Sequence, residues 1–229
     1  MKYSNPLAEF IASLRRVGLL SSAYLAYSRI YDQIFDRRHG LDTIARLELD
    51  ELDVEGATVA KGQMYQPTGV LAFQHVMKRL DLPANPILID FGSGKGRTLI
   101  LAAMDGRFEK VIGVEFSQEL VDIADRNVAV VESKGKLTCP IENICVDAMQ
   151  YQYRDDETVF YFFYPFDAEL MEVVVGQILA SLKRKPREAR LVYYYPVHEK
   201  AMARFEQLNL MKRFDVFGYP CLIYDIVSS

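Results

Sequence analysis

The sequence predicts an α/β fold: a doubly wound, mostly parallel sheet with helices on both faces and one antiparallel strand near the C-terminal edge. From Pro67 onward, short apolar runs alternate with segments in which apolar residues recur at helical spacing. Repeated strand–helix units of this kind form parallel sheets. The last two candidate strands, 211–217 and 222–227, are joined by only a few residues around Gly218 and Pro220. Parallel strands need a longer crossover, so this pair must run antiparallel.

Each predicted element has its own signal. The apolar runs predict parallel strands at 87–91, 111–114, 141–146, 158–163 and 191–195. The helical periodicity predicts helices at 70–80, 98–104, 117–131, 167–182 and 197–208. Ser117 is a suitable N-cap for the third of these helices, and Pro83 and Pro86 end the first. The run 158–163 is apolar throughout, as is typical of a strand buried on both faces.

Residues 1–60 form a predicted helical extension to a main domain at 61–229. Apolar residues at helical spacing predict two helices in the extension, with a break at Gly18 and the Ser21–Ser22 pair and an end at Gly40. The acidic segment that follows alternates leucines with charges and fits either an edge strand or an extended arm.

The composition excludes several classes of protein. Of 229 residues, 50% are hydrophobic and 25% are charged, which excludes disorder. A net charge of −4 and a pI near 5.5 argue against a protein built to hold nucleic acid. Three cysteines without a CxxC pair predict neither a disulfide framework nor a metal site. Without a leader pattern or a run of about 18 apolar residues, we expect a cytoplasmic protein with no membrane span.

The strongest chemical signal is the segment ILIDFGSGKGRT, residues 87–98. An apolar strand ends in an aspartate, and a glycine-rich loop then leads into a helix. The loop residues of interest are Gly92, Ser93, Gly94 and Gly96. Glycines let the backbone approach a ligand closely, and a helix N-terminus offers free N–H groups. In doubly wound sheets, nucleotide-like ligands bind at this edge. The loop matches neither the Walker phosphate-binding motif GxxxxGK[ST] nor the dinucleotide-binding motif GxGxxG, because its glycines are spaced GxGxG.

The charge of Asp90 distinguishes between possible ligands. A pyrophosphate about 5 Å from this carboxylate would be repelled by about 3 kcal/mol per charge pair at an effective dielectric constant of about 20. S-adenosylmethionine (SAM) carries a cationic amine and a sulfonium, and it would be attracted instead. Lys95 would favour phosphate, but we expect its side chain to point to solvent. The loop therefore favours SAM.

Two further acids follow the next two strands. Glu115 ends the second strand, where a carboxylate can accept hydrogen bonds from both ribose hydroxyls of an adenosine, each worth about 1.5–3 kcal/mol. Because NAD enzymes use the same device, Glu115 supports an adenosine and not SAM in particular. Asp147 ends the third strand and can accept from the adenine amine, with the Ala148 N–H facing a ring nitrogen. Phe116, beside Glu115, belongs to the same predicted cofactor site.

The order of these residues resembles that of class I SAM-dependent methyltransferases over roughly residues 62–229. Four segments resemble, more closely, a group of mostly uncharacterised bacterial methyltransferases distantly related to the disruptor-of-silencing-type histone-lysine methyltransferases. They are FDRRHGLDT (35–43), YQPT (65–68), IDFGSGKGR (89–97) and YYPVH (194–198). The resemblance implies a Rossmann-like methyltransferase fold, SAM as the cofactor, and a segment from Tyr65 to Thr68 that closes over the methionine part of SAM. It also implies that the N-terminal extension forms a lid or part of the acceptor side.

The fourth strand leads into Phe163, Tyr164, Pro165 and Phe166, where amino-group methyltransferases often carry [DN]PP[YF]. In that motif the Asn or Asp and a proline carbonyl accept hydrogen bonds from the target nitrogen. An aromatic residue replaces the Asn or Asp here, which argues against methylation of DNA bases. We predict that Phe163 lies on the cofactor side, that the next three residues are catalytic, and that His198 is a candidate base.

An amine acceptor fits these aromatic surroundings. A lysine with a pKa of about 10.4 must lose a proton before it attacks, at a cost of about 4.6 kcal/mol at pH 7. Poorly hydrated surroundings disfavour the ammonium and lower that cost. The sequence thus predicts a SAM-dependent methyltransferase that acts on nitrogen, in a protein lysine or a small-molecule amine. Two alternatives remain open: a SAM-binding module without catalysis, suggested by the altered Phe163-Tyr164 pair, and a nucleotide-linked oxidoreductase, which Asp90 disfavours.

Overall fold

The computed structural model describes residues 6–44, 66–163 and 167–227, with the backbone alone for residues 6–21. The strands are β1 (Ile87–Phe91), β2 (Lys110–Glu115), β3 (Ile141–Cys145), β4 (Val159–Phe163), β5 (Ala189–Tyr194), β6 (Leu208–Val216) and β7 (Tyr219–Ile226). The helices are α1 (Pro6–His39), α2 (Val70–Met77), α3 (Arg97–Asp105), α4 (Gln118–Glu132), α5 (Ala168–Arg184) and α6 (Glu199–Met202). In these ranges the seven strands form one sheet in the order β3-β2-β1-β4-β5-β7-β6.

The sheet has the predicted topology. Strands β1 to β5 run parallel, and β7 pairs antiparallel with both β5 and β6. Phe217 and Gly218 connect β6 to β7 with φ values of 57° and 90°, the conformation that two-residue hairpin turns favour. Asp215 Oδ1 accepts a hydrogen bond from the Gly218 N–H at 2.8 Å. The doubly wound sheet with one reversed strand near its C-terminal edge is therefore confirmed.

Both faces of the central strands are buried, which explains why these strands are continuous apolar runs in the sequence. Ile89 and Phe160 pack on the face covered by α5. Leu88 and Val159 pack on the opposite face, against α2 and α3. The candidate site lies at the carboxyl ends of these strands.

The N-terminal region differs from its prediction. We predicted two helices with a break at Gly18 and Ser21–Ser22, but α1 is continuous through these residues. A glycine inside a helix costs only about 1 kcal/mol relative to alanine, and a long helix with tertiary contacts tolerates that cost. The predicted end is confirmed, because α1 ends at His39 and Gly40 has a φ of 72°. Of the helices in the described ranges, none is long and apolar enough to cross a membrane.

The second half of α1 contacts elements that are far apart in the fold. Tyr24 stacks on Phe217 in the β6–β7 turn, with ring centroids 3.5 Å apart. At the other end of the helix, Lys134 Nζ, just beyond α4, donates a hydrogen bond to the carbonyl of His39 at 2.7 Å. Helix α1 therefore extends from the hairpin to α4.

The predicted helix at 197–208 is wrong over most of its length. Only Glu199–Met202 is α-helical, and the chain from Leu208 onward belongs to β6. Leu208 pairs with Ile226 of β7, at the far end of the hairpin. Pairing with β7 thus overrides the local helical spacing of the apolar residues.

Candidate functional site

A cleft lies at the carboxyl ends of β1 and β4, between the glycine loop and the segment that precedes α2. It is lined by Gln66, Pro67, Thr68, Asp90, Gly92, Ser93, Arg97, Thr98 and Phe163. The structure thus brings together residues that the sequence analysis took from three separate motifs: YQPT, the glycine loop and the end of the fourth strand.

The glycine loop turns tightly between β1 and α3. Gly92, Gly94 and Gly96 all have positive φ values, of 79°, 53° and 80°, which glycine adopts without strain. The N–H groups of Gly92 and Ser93 donate hydrogen bonds to the carbonyl of Val114 at 2.8 and 3.2 Å. The loop is therefore held against the end of β2.

Gly113 in β2 leaves the space that this loop occupies. A Cβ atom at this position would lie 2.5 Å from Leu99 Cδ1 and 2.7 Å from Ser93 Oγ. Nonbonded atoms do not approach so closely, so a side chain here would displace the glycine loop or the start of α3.

Asp90 is buried at the end of β1, and 4% of its surface is exposed. The pKa of Asp90 is raised to about 7: burial raises it most, a hydrogen bond from Thr98 lowers it, and the charge of Glu115 adds a smaller increase. Removal from water disfavours the carboxylate, and a cationic ligand in the cleft would stabilise it. The site is therefore suited to a ligand that carries positive charge.

Glu115 is equally buried at the end of the neighbouring strand. Its Oε2 accepts a hydrogen bond from the Gly94 N–H at 2.9 Å, and its Oε1 accepts one from the Ser117 N–H at 3.1 Å. Burial raises the pKa of Glu115, while backbone N–H groups, including that of Phe116, lower it. The carboxylate thus contacts the glycine loop directly, next to the position at which we predicted a ribose.

Asp147 follows β3, the strand beside β2. Its Oδ1 accepts a hydrogen bond from the Met149 N–H at 2.8 Å and caps the short 3₁₀ helix Ala148–Gln150. Ala148 is buried. Asp147 therefore has a capping function, and its contact with adenine stays a prediction.

Four aromatic side chains pack together near the carboxyl ends of β4 and β5 and the start of β7, and one of them lines the cleft. Phe163 lines the cleft and stacks on Tyr194, with ring centroids 4.9 Å apart. Tyr195 meets Tyr219 edge to face at 4.6 Å and has a φ of 56°, a strained conformation for a residue other than glycine. These four residues are called the aromatic wall below.

Tyr65, the three predicted catalytic residues and the candidate base are not among the described residues that line the cleft. Tyr65 and the predicted catalytic residues Tyr164, Pro165 and Phe166 lie outside the residues that the structure describes. His198 is half-buried just before α6 and is not among the described residues that line the cleft.

The prediction that Lys95 points to solvent is wrong. Its side chain is 2% exposed, and its Nζ donates a hydrogen bond to Asp42 Oδ1 at 3.2 Å. The segment after α1 covers it, which no local sequence pattern indicated. Since Lys95 is not among the described cleft-lining residues, its charge is no argument for a phosphate ligand.

Sequence reasoning gave no role to Arg97, which lines the cleft and is 2% exposed. Its guanidinium contacts Asp32 and Asp36 on α1 at 3.1 and 3.5 Å. Two signals could have revealed this cluster. A cation in the first turn of a helix opposes the helix dipole. Two aspartates four residues apart on one helix repel each other unless they share a cation.

The residues in this cleft fit SAM. Asp90 lines the cleft, and the one cationic side chain among the described lining residues, Arg97, is paired with Asp32 and Asp36 on α1. A second buried carboxyl group, that of Glu115, ends the neighbouring strand. The glycine loop contributes Gly92 and Ser93 to the lining of the cleft, and its Gly94 N–H donates a hydrogen bond to Glu115. A doubly wound sheet with a glycine loop after β1 and an acid ending β2 is typical of proteins that bind an adenosine-containing cofactor, and Asp90 at the end of β1 favours SAM among these cofactors.

A comparison with protein-family models matches residues 60–189 to the family described as histone methylation protein DOT1. The match covers more than half of the chain, and the chain belongs to this family. It is a SAM-dependent methyltransferase, with SAM as its cofactor. Family membership favours methyl transfer over the oxidoreductase alternative. A comparison with curated proteins found no match.

Solved structures share the fold at low sequence identity. A SAM-dependent methyltransferase from Aquifex aeolicus is 19% identical, with a TM-score of 0.52 over 69% of this chain and 91% of that chain. A protein of the NADB-Rossmann superfamily from Streptococcus agalactiae is 15% identical, with a TM-score of 0.53 over 72% and 71%. The pyocyanin biosynthetic protein PhzM is 11% identical, with a TM-score of 0.53 over 69% and 55%. These similarities concern the fold alone.

Proposed function

We propose that this chain transfers the methyl group of SAM to an amine nitrogen, in a protein lysine or a small molecule. The aromatic wall is the observation that carries the proposal, because Phe163 joins it to the cleft. Stacked rings hydrate a neighbouring ammonium poorly and so favour the neutral amine, the form that attacks. The family is described by histone methylation, which supports a lysine acceptor.

The proposal assigns the buried acids to the cofactor. Asp90 would face the cationic part of SAM, Glu115 the ribose, and Asp147 with Ala148 the adenine. The segment from Tyr65 to Thr68 would cover the methionine part. SAM supplies a methyl group already activated on a sulfonium, so the protein has mainly to bind, align and exclude water.

The protein's own residues would then prepare the acceptor. Phe163 and Tyr194 would exclude water from the amine. Burial raises the pKa of Tyr194, so this hydroxyl stays neutral and gives the amine no fixed charge to pair with. Tyr164 is proposed to orient the nitrogen through its side chain and Pro165 through its backbone carbonyl, and His198 to accept the proton of the amine.

We propose further that residues 1–60 form an extension that borders the acceptor side of a methyltransferase domain at 61–229. The contacts of α1 support this arrangement. Tyr24 reaches the β6–β7 turn, and Asp32 Oδ1 accepts a hydrogen bond from the Val70 N–H at 2.9 Å. The extension thus borders the strand ends at which the aromatic wall lies.

The experiment is transfer of a tritiated methyl group from SAM into cell lysate and into a set of small amines. We expect the label in N-methyl-lysine after acid hydrolysis, or in an N-methylated small amine. Base-labile label, released as methanol, would indicate a carboxyl ester and would contradict the proposal. Transfer to no acceptor by a protein that binds SAM would favour the non-catalytic module.

Variants separate the acceptor side from the cofactor side. Tyr164→Ala and His198→Ala should lower transfer at least tenfold while the Kd for SAM stays within twofold. His75→Ala is the matched control, because His75 is half-buried on α2 beside Phe214 and Phe217 and has no proposed role in transfer. Full transfer by His198→Ala would remove that residue from the mechanism.

A further inference from the structure

Arg97 occupies a position that its charge alone does not favour. It begins α3 directly after the glycine loop, where a cation opposes the helix dipole, and its side chain is buried. Replacing buried ion pairs with apolar side chains is often neutral or stabilising, so stability alone does not account for this arginine. Its contacts indicate another role.

The side chain of Arg97 joins two segments that are distant in the sequence. Its Nε donates a hydrogen bond to Thr43 Oγ1 at 2.6 Å, and its two terminal nitrogens contact Asp32 and Asp36. These partners come from α1 and the turn after it. One terminal nitrogen also lies 3.5 Å from the carbonyl of Thr68, in the wall of the cleft.

Helix α1 also contacts the backbone at the start of α2, directly after the segment 66–68 that lines the cleft. Asp32 uses one carboxylate oxygen for Arg97 and the other for the Val70 N–H. A Cβ atom on Gly69 would lie 3.1 Å from Ser28 Oγ, so the backbone there lies directly against α1. The wall segment 66–68 is therefore held between α1 and the start of α3.

A second junction ties the glycine loop itself to the end of α1. Lys95 in the loop pairs with Asp42. Asn127 on α4 accepts a hydrogen bond from the Asp42 N–H at 2.9 Å and donates to the carbonyls of Asp42 and Lys95 at 3.1 and 3.0 Å. The glycine loop and the cleft-lining segment 66–68 thus both depend on the docking of α1.

We propose that Arg97 is a positioning residue for the cofactor: through Asp32 and Asp36 it couples α1 to the cleft wall at 66–68, so the affinity for SAM depends on α1. The inference rests on the cofactor site and not on the identity of the acceptor. The segment 66–68 belongs to the region proposed to cover the methionine part of SAM. The loss of this coupling should therefore weaken the binding of that part of the ligand.

The test compares Arg97→Met with Arg97→Lys and Asp32→Asn in the full chain. The matched control is Arg187→Met, because Arg187 is also a mostly buried arginine, 3.8 Å from the buried Glu157, and neither residue lines the cleft. The Kd is measured by calorimetry for SAM and for 5′-methylthioadenosine, which lacks the amino-acid part. Thermal unfolding of each variant gives the temperature range in which it is folded.

We expect Arg97→Met to weaken SAM binding at least tenfold and 5′-methylthioadenosine binding less than threefold. Arg97→Lys should recover part of the loss, and Arg187→Met should lower the Tm while keeping the Kd for SAM within twofold. If Arg97→Met does not fold, Asp32→Asn tests the proposal in its place, and we expect this variant to weaken SAM binding at least fivefold. A smaller loss, an equal loss for both ligands, or an equal loss in Arg187→Met would overturn the proposal. Because this experiment measures SAM binding and not methyl transfer, failure to find an amine acceptor would not contradict the proposed role of Arg97.

Discussion

Asp90 combines burial with a pKa of about 7, so both of its protonation states are populated near neutral pH. Bound SAM favours the carboxylate, because the ligand carries positive charge next to it. Loss of the Asp90 proton before binding should raise the affinity for SAM about tenfold between pH 6 and pH 8, measured as the ratio of the wild-type affinity to that of Asp90→Asn. Calorimetric titration across this range measures the change.

Asp90→Asn is the control for this pH dependence. The variant has no proton to lose at this position. The amine of SAM loses its proton with rising pH whichever protein binds it, so this effect is common to the variant and the wild type. The affinity of Asp90→Asn should be lower than that of the wild type at pH 8, and it should lack the increase that the loss of the Asp90 proton produces. Equal pH profiles in the two proteins would show that Asp90 does not face the cofactor.

Glu115 supports the glycine loop through the Gly94 N–H and is proposed to accept the ribose hydroxyls. We expect Glu115→Ala to weaken SAM binding at least tenfold, or about 1.4 kcal/mol. Glu142→Ala removes a carboxylate from the neighbouring strand that pairs with Lys110 and Arg154, and it should leave the Kd unchanged. Calorimetry of both variants compares a carboxylate in the site with one outside it.

At the scale of elements, the strands were more predictable than the helices. β1 has the predicted bounds, because an apolar run buried on both faces ends sharply at a proline and a glycine. The cap of α4 is also confirmed, since Ser117 Oγ accepts a hydrogen bond from the Leu120 N–H at 3.4 Å. α6 was predicted too long, because Leu208, the last residue of the predicted helix, begins β6 and pairs with Ile226 of β7.

The site was predictable where one local element carries it. Asp90 and Glu115 could be found because the carboxyl ends of neighbouring parallel strands meet at one edge. The environment of Arg97 could not be predicted, because Asp32 precedes Arg97 by 65 residues and no local pattern indicates where α1 docks. For the same reason Lys95 was expected in solvent.

Gly113 tests how tightly β2 and the glycine loop are packed. We expect Gly113→Ala to lower the free energy of unfolding by about 1–3 kcal/mol, because the new methyl group overlaps with Ser93 and Leu99. Gly176→Ala on α5 is the control: nothing lies within 4 Å of its Cβ position, so it should be neutral or stabilising by up to about 1 kcal/mol. Urea unfolding measures both, and equal effects would contradict the close approach at β2.

For the whole molecule, the buried acids link stability to pH. The folded-state pKa of Asp90 lies above its unfolded value, so the folded protein holds this proton more tightly. Stability from this group is therefore fully present below about pH 4 and is lost as pH rises through about 7, by a total of about 4 kcal/mol. Burial shifts the pKa of Glu115 in the same direction.

We therefore expect Asp90→Asn to be more stable than the wild type without SAM, and the difference to grow from pH 5 to pH 8. Saturating SAM should raise the Tm of the wild type more at pH 8 than at pH 6, because the ligand compensates the buried charge. Thermal unfolding with and without SAM measures both effects. A difference that is constant with pH would show that Asp90 does not change its ionisation on folding.

The position of β7 also has consequences for how this chain is synthesised. β7 follows β6 in the sequence but lies between β5 and β6 in the sheet. On the ribosome, β6 therefore emerges before it has a neighbour, and β5 keeps an open edge at the same time. Unpaired strand edges are templates for association with other chains. The nascent protein is thus most exposed to aggregation in the interval between β6 and β7, and translation of β7 closes both edges at once.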